Sequence, residues 1–238
     1  RALKMNGGAN KKDLAREESW PLPPHPNYMP GKVLDIIGGA GEKTKRFCDG
    51  FPRTPWGRDI GIKLAGAGGD GAQTAALLVT RAAINEGFDS THIPSYGPES
   101  RGGTSYADVR IAADEVLSPA APHPHVLVAF NGPSLAKFGP DVAEGGVVVY
   151  DTTVTAEAPK LHPSVRLVGV PLTQIAREVG KLTVKNVVAL GALQGAARLF
   201  PDDTILSAVR GALGPKKAAL LPMNEEAYRR GVAAAQQR

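Results

Sequence analysis

Apolar positions follow two rhythms in the chain beyond residue 57, and their alternation predicts the fold. Ile60 to Ala65 is a short apolar run that enters a glycine-rich segment, as a buried strand does. Ala72 to Glu86 then carries Ala75, Leu78, Val79 and Ala82 at helical spacing, and Gly87 supplies the stop. Phe88 to Pro94 reads as a second strand, interrupted by a Pro/Gly loop over 94–103. Ser105 to Ile111 alternates, which predicts a strand with one wet face. His125–Phe130, Val147–Tyr150 and Val165–Val170 are further buried strands. Helices are predicted from Gly132 to Phe138, from Pro171 to Val179, over 186–199 as a helix apolar on all faces, and over 202–213 and 224–236. Strands alternating with helices predict an α/β fold, a three-layer domain with a largely parallel central sheet.

The first 57 residues break both rhythms. Five prolines fall between Pro21 and Pro30, which excludes helix and sheet ladders there. Isolated apolar residues such as Val33, Ile37 and Phe51 do not amount to a core. Two segments follow: an extended Pro/Gly-rich basic N-terminal arm over 1–57, expected to dock on partner chains, and the α/β domain over 58–238.

Charge sharpens that division. Residues 1–63 hold 12 Lys/Arg against seven Asp/Glu, and the remainder is balanced, so the formal charge of +5 comes from the N-terminal part of the chain. Its charges are scattered and mixed in sign, without the dense basic face that nucleic acid requires, so no nucleic acid is expected. No apolar run reaches the roughly 18 residues of a membrane span, and no leader is visible, so the expectation is a cytoplasmic protein with no membrane contact. Cys48 is the only cysteine, which excludes an internal disulfide and an iron–sulfur cluster held by this chain alone. The five histidines lack metal spacing; His123 and His125 read as surface residues, and no metal site is expected.

Candidate chemistry gathers in two glycine-rich loops. Gly66, Gly68 and Gly71, with Gly69 between, match the spacing of a dinucleotide loop placed after a strand and before a helix. Asp70 opposes that reading, since a carboxylate beside a phosphate costs about a kcal/mol or more. Asp89 falls at the wrong end of its strand for a ribose partner. Gly69-Asp70-Gly71 also opens like a thiamine diphosphate motif, but position 99 is Glu where that motif's Asn would be expected. A carboxylate favoured at a helix N-terminus is the simpler reading of Asp70. The second loop packs Ser95, Tyr96, Gly97, Pro98, Glu99, Ser100, Arg101, Gly102 and Gly103 together. Its glycines permit close backbone approach. Arg101 is suited to fork onto a carboxylate or phosphate, or to pair internally with Glu99. No catalytic residue stands out. If strands flank both loops, they leave one sheet edge and face a common crevice.

Pro94 to Gly103, together with Gly66–Gly71 and Thr74-Ala75, resembles the gamma subunit of the 2-oxoacid:ferredoxin oxidoreductases. Ser105–Ile111, Ser118-Pro119, Gly145–Val148, Val170-Pro171, Ile175-Ala176, Asn186 and Leu190–Ala192 extend the likeness over about 58–238. Position 70 departs from it, being Gln in most of that family. The resemblance implies a subunit of a thiamine diphosphate-dependent complex that converts a 2-oxoacid to an acyl-CoA and CO2. It implies alpha, beta and delta partners that carry thiamine diphosphate, Mg and [4Fe-4S] clusters, coenzyme A as co-substrate, and ferredoxin or an NAD-linked flavin subunit as acceptor. It implies that this chain alone binds no cofactor, and that the two loops are coenzyme A-facing or interface surfaces. A free-standing Rossmann-type dinucleotide-binding protein and a purely structural scaffold are the alternatives.

Overall fold

Six strands form one sheet in the computed structural model, which describes residues 56–96, 103–155, 157, 159–201 and 203–237. They are β1 (Asp59–Ala67), β2 (Asp89–Tyr96), β3 (Thr104–Ala112), β4 (Val126–Ala129), β5 (Val147–Asp151) and β6 (Arg166–Val170). Their spatial order is β2-β3-β1-β4-β5-β6. The pairings β1–β4, β4–β5 and β5–β6 are parallel, while β3 runs antiparallel to both neighbours. All the described residues fall within one compact unit.

The helices are α1 (Ala72–Asn85), α2 (Gly132–Phe138), α3 (Leu172–Val179), α4 (Lys185–Ala197), α5 (Thr204–Leu213) and α6 (Leu221–Gln236). They divide unevenly between the faces. The face bearing Ile60, Ile62, Leu64, Val126, Val128 and Val149 joins one large core with the apolar sides of α1, α3, α4, α5 and α6. The opposite face, with Ala65, Leu127, Ala129 and Val148, is covered by α2 and by connecting segments that bring Val142, Leu161 and Val165. The three layers are therefore present, with the third layer thin.

Helix α4 is buried on nearly every side, as its uninterrupted apolar run predicts. It crosses α6 at small residues: a Cβ on Gly195 would lie 2.7 Å from the Val232 carbonyl oxygen, which only glycine avoids. That close crossing buries α4 and one side of α6 with few large side chains, consistent with a chain poor in aromatics.

Two features differ from the sequence reading. Strand β2 continues through Pro94 to Tyr96. Proline is tolerated because β2 is the sheet's edge strand, where a missing N–H need not break a ladder. Strand β3 lacks the expected wet face, since Asp108 is buried. Its carboxylate pairs with buried Lys63 of β1 and accepts from Ala121 N at 3.2 Å. Long-range partners, invisible in an alternating pattern, dry that face. The arm expected over 1–57 lies outside the described residues except Trp56 and Gly57. Trp56 packs on the domain, its indole N–H donating to Gly145 O at 3.1 Å.

Candidate functional site: the carboxyl edge of the sheet

Strand β1 leads through α1 towards β2 on one side, while β4 leads through α2 to β5 on the other. The sheet thus reverses its winding between β1 and β4, and the crevice beyond their carboxyl ends is where open α/β sheets place functional groups. Both glycine loops leave this edge, one after β1 and the other between β2 and β3. They meet there: Gly68 N donates to Gly103 O at 3.3 Å. Both loops therefore leave one sheet edge, as the flanking strands required.

Within the first loop, Gly66 is required by contact. A Cβ there would come 2.9 Å from Asp70 Oδ2 and 3.0 Å from Phe130 Cβ. Gly71 takes φ 86° as the residue before α1, and a Cβ on it would lie 2.8 Å from Asn186 Cβ on α4. This glycine lets two helix starts touch. Gly68 and Gly69 are exposed at the tip. In the second loop, Ser95 is half-buried and Tyr96 is 70% exposed. Gly97, Pro98, Glu99, Ser100, Arg101 and Gly102 lie outside the described residues.

Asp70 does not cap α1, whose start has no side-chain cap. Its carboxylate turns back into the crevice instead. Oδ2 accepts from Ala67 N at 2.8 Å and from Asn131 Nδ2 at 3.2 Å, and Oδ1 lies 3.5 Å from Lys185 Nζ. Lys185, the first residue of α4, is buried, donates to Phe130 O at 2.9 Å and reaches Asp151 Oδ2 at 3.2 Å. Asp151 ends β5 with no exposed surface. It accepts from Thr173 N and from Thr173 Oγ1, the latter at 2.5 Å, at the start of α3, and from Thr153 N at 3.0 Å. One ammonium therefore ties the ends of β1, β4 and β5 to α4. Two carboxylates against one ammonium leave the network at a net charge of −1, and Asp70 is its most exposed part, with 24% of its side chain accessible.

Gln73 makes the other cross-link. Its amide Nε2 donates to Ser95 O at 3.2 Å, Ser105 Oγ at 3.1 Å and Tyr106 O at 2.7 Å. The first turn of α1 thereby grips the two strands that lead into and out of the second loop.

Sequence reasoning located the two loops and missed the groups that brace them: Lys185, Asp151, Asn131, Thr173 and Gln73. Two signals were available. Asp151 follows four apolar or aromatic residues at the carboxyl end of a parallel strand, where a charge is rarely casual. Lys185 heads a helix that is otherwise apolar and buried, where a lysine needs a partner.

The described histidines stay apart from this edge. His125 is half-buried rather than a surface residue: its Nδ1 accepts from Gly61 N at 3.0 Å and its ring stacks on Trp56 at 5.7 Å between centroids. Burial and the nearby Arg110 hold its pKa below the usual value, against an opposing pull from Asp59. Among the described residues no cluster of three His, Cys, Asp or Glu side chains is placed to hold a metal, and no helix is long and apolar enough to cross a membrane.

Comparison with known proteins carries the geometry to a family. The ketoisovalerate oxidoreductase subunit VorA of Methanothermobacter marburgensis is 46% identical over 136 residues, covering 57% of this chain and 28% of VorA. The chain thus spans little more than a quarter of that relative's length. The common gamma subunit of the pyruvate/ketoisovalerate oxidoreductases of Thermococcus kodakarensis is 32% identical over 185 residues, 73% of this chain and 97% of that subunit. Among solved structures, the 2-oxoglutarate:ferredoxin oxidoreductase of Magnetococcus marinus, with 2-oxoglutarate, coenzyme A and succinyl-CoA bound, superimposes with a TM-score of 0.69 at 26% identity, over 76% of this chain and 32% of that chain. Residues 61–234, which take in both loops and nearly all of the α/β domain, match the pyruvate ferredoxin/flavodoxin oxidoreductase family, so the chain belongs to that family.

Proposed function

We propose that this chain is the gamma-type part of a multisubunit oxidoreductase that oxidatively decarboxylates a 2-oxoacid. The overall change joins the acyl carbon of the 2-oxoacid to the sulfur of coenzyme A. Carbon dioxide and a proton are released, and two electrons pass to ferredoxin or another acceptor. Thiamine diphosphate with Mg would supply the carbanion-stabilising chemistry and [4Fe-4S] clusters the electron path, all held by alpha-, beta- and delta-type partners in the cytoplasm. The relative from T. kodakarensis, matched over nearly its whole length, supports the gamma assignment.

The role of this chain is to present the carboxyl edge of its sheet. One observation carries that reading: the two glycine-rich loops are bonded to each other by Gly68 N and Gly103 O and braced from beneath by Gln73 and the Asp70–Lys185–Asp151 network. Such bracing fits a surface that must keep its shape against a partner or a coenzyme A-facing site. It suits a free dinucleotide-binding protein poorly, because the carboxylate of Asp70 lies against Gly66 and Ala67 N, in the loop where a pyrophosphate would need amide donors and positive potential.

Purification of the native assembly from its source tests the proposal. The expected preparation contains thiamine-bearing and cysteine-rich chains and reduces a low-potential acceptor only when both a 2-oxoacid and coenzyme A are present. Recovery of the chain alone, with micromolar affinity for NAD or NADP, would overturn it. Within the intact complex, Arg101→Ala is expected to raise the KM for coenzyme A; unchanged coenzyme A kinetics would reduce the loop to scaffold.

A further inference from the structure

The helical layer contains a cavity of about 340 Å³ where α1, α4, α5 and α6 converge. It adjoins the carboxyl edge, since Asn186, which packs on Gly71, forms part of its wall. Its lining is mainly aliphatic, with Leu78 of α1, Val187 of α4, Leu213 of α5 and Met223 of α6, and includes the amides of Asn186 and buried Asn224. Its outer rim carries Lys181, before α4, and Lys217, before α6, both exposed. No Asp or Glu lines it, and neither lysine has an ion-pair partner among the described residues. An aliphatic floor below two exposed ammonium groups offers burial to an apolar body and a counter-charge to an anion in one place.

The shape and chemistry narrow the ligand. The volume lies near the lower end of the roughly 300–1,000 Å³ typical of small-molecule sites, which is too small for a dinucleotide or a long lipid. The lining contains no aromatic side chain or histidine on which a nucleobase could stack. A small anion without an apolar body would leave the floor unused, and a neutral alkyl group would leave the lysines unused.

We propose that this cavity is a binding site for a short aliphatic carboxylate. The alkyl chain rests on the Leu78–Met223 floor, and the carboxylate is held at the rim by Lys181 and Lys217. The site lies wholly within this chain, so it does not depend on the assembly proposed above.

Titration of the purified full chain by calorimetry tests this, with 4-methylpentanoate as the probe and 4-methylpentan-1-ol and acetate as its neutral and short counterparts. Saturable binding of 4-methylpentanoate is expected, with the alcohol and acetate each weaker by about tenfold or more. The double variant Lys181→Ala/Lys217→Ala removes only exposed side chains; it should keep its melting temperature and bind the probe about tenfold more weakly. Absence of saturable binding to the wild-type chain would overturn the proposal. So would equal affinity for the alcohol, or undiminished binding by the double variant. None of these outcomes bears on whether the chain assembles with partners.

Discussion

The two ends of the sheet use similar polar groups under different conditions. At the carboxyl end, Lys185 and Asp151 are both buried, and Asp70 is mostly so. Their charges are offset by one another, by backbone amides and by the start of α3. At the amino end, His125 is half-buried beneath Trp56, while Arg110 pairs with an Asp59 carboxylate that is 45% exposed. Water reaches the Asp59 carboxylate at the amino end, although Arg110 is only 16% exposed, and cannot reach Asp151 at the carboxyl end. The difference teaches where shape is fixed. The functional loops stand on the end whose bonds are hardest to exchange, and Trp56 packs at the other.

The largest expected effect comes from breaking the buried end. Lys185→Met removes the ammonium and leaves Asp151 without a counter-charge in a dry site. Loss of one partner of a buried pair costs about 3–5 kcal/mol. Urea unfolding of the full chain should show that loss, and a double variant with Asp151→Asn should recover part of it. A cost within about 0.5 kcal/mol of zero would mean that water reaches this site and would erase the contrast between the two ends. Asp70→Asn should cost less, about 1–2 kcal/mol, because Asp70 keeps some solvent contact and the amide oxygen can still accept from Ala67 N.

How much of this was legible in the sequence follows from the range of each interaction. The strands and helices were, because their signals are local: Gly132-Pro133 opened α2, Gly180 closed α3, and the apolar run beyond Asn186 became a buried helix. The meeting of the two loops was also legible, since each follows a strand of the same sheet. The braces were not. Lys185 is 115 residues from Asp70, and Gln73 is 32 from Ser105. Nothing in a local pattern pairs them. The same limit hid the Lys185 partner of Asp70 and made the polar side of β3 read as wet, because Lys185 and Lys63 come from other elements.

Gln73 allows a finer comparison within the functional end. It makes neutral bonds to both stems of the second loop, so its loss should cost about 1–2 kcal/mol, less than the loss of Lys185. Gln73→Ala should also loosen Ser95 and Ser105 before it affects the core, so faster amide exchange confined to β2 and β3 is the expected signature. Uniformly faster exchange over all six strands would show instead that Gln73 supports the whole domain.

The smallest effect is a pH dependence at the amino end. The pKa of His125 lies below its usual value of 6.5 in the folded chain because of burial and Arg110. Unfolding removes both influences. Between the folded value and about 6.5 the unfolded chain therefore holds a proton that the folded chain lacks, and the unfolded state gains as pH falls. The stabilisation from keeping this ring neutral is complete above about pH 6.5 and diminishes as pH drops below it. The cause is specific: Nδ1 accepts from Gly61 N, and a proton on Nδ1 would set one N–H against another. Trp56 stacks on the same ring, so its fluorescence in the folded chain should change as that ring gains its proton, at a pH below 6.5. His92, also lowered by burial, contributes in the same direction, so the comparison that isolates His125 is the wild-type chain against His125→Gln. The variant should have a shallower fall in unfolding midpoint between pH 7 and 5. Identical slopes would transfer the effect to His92 and leave the Trp56 contact indifferent to pH.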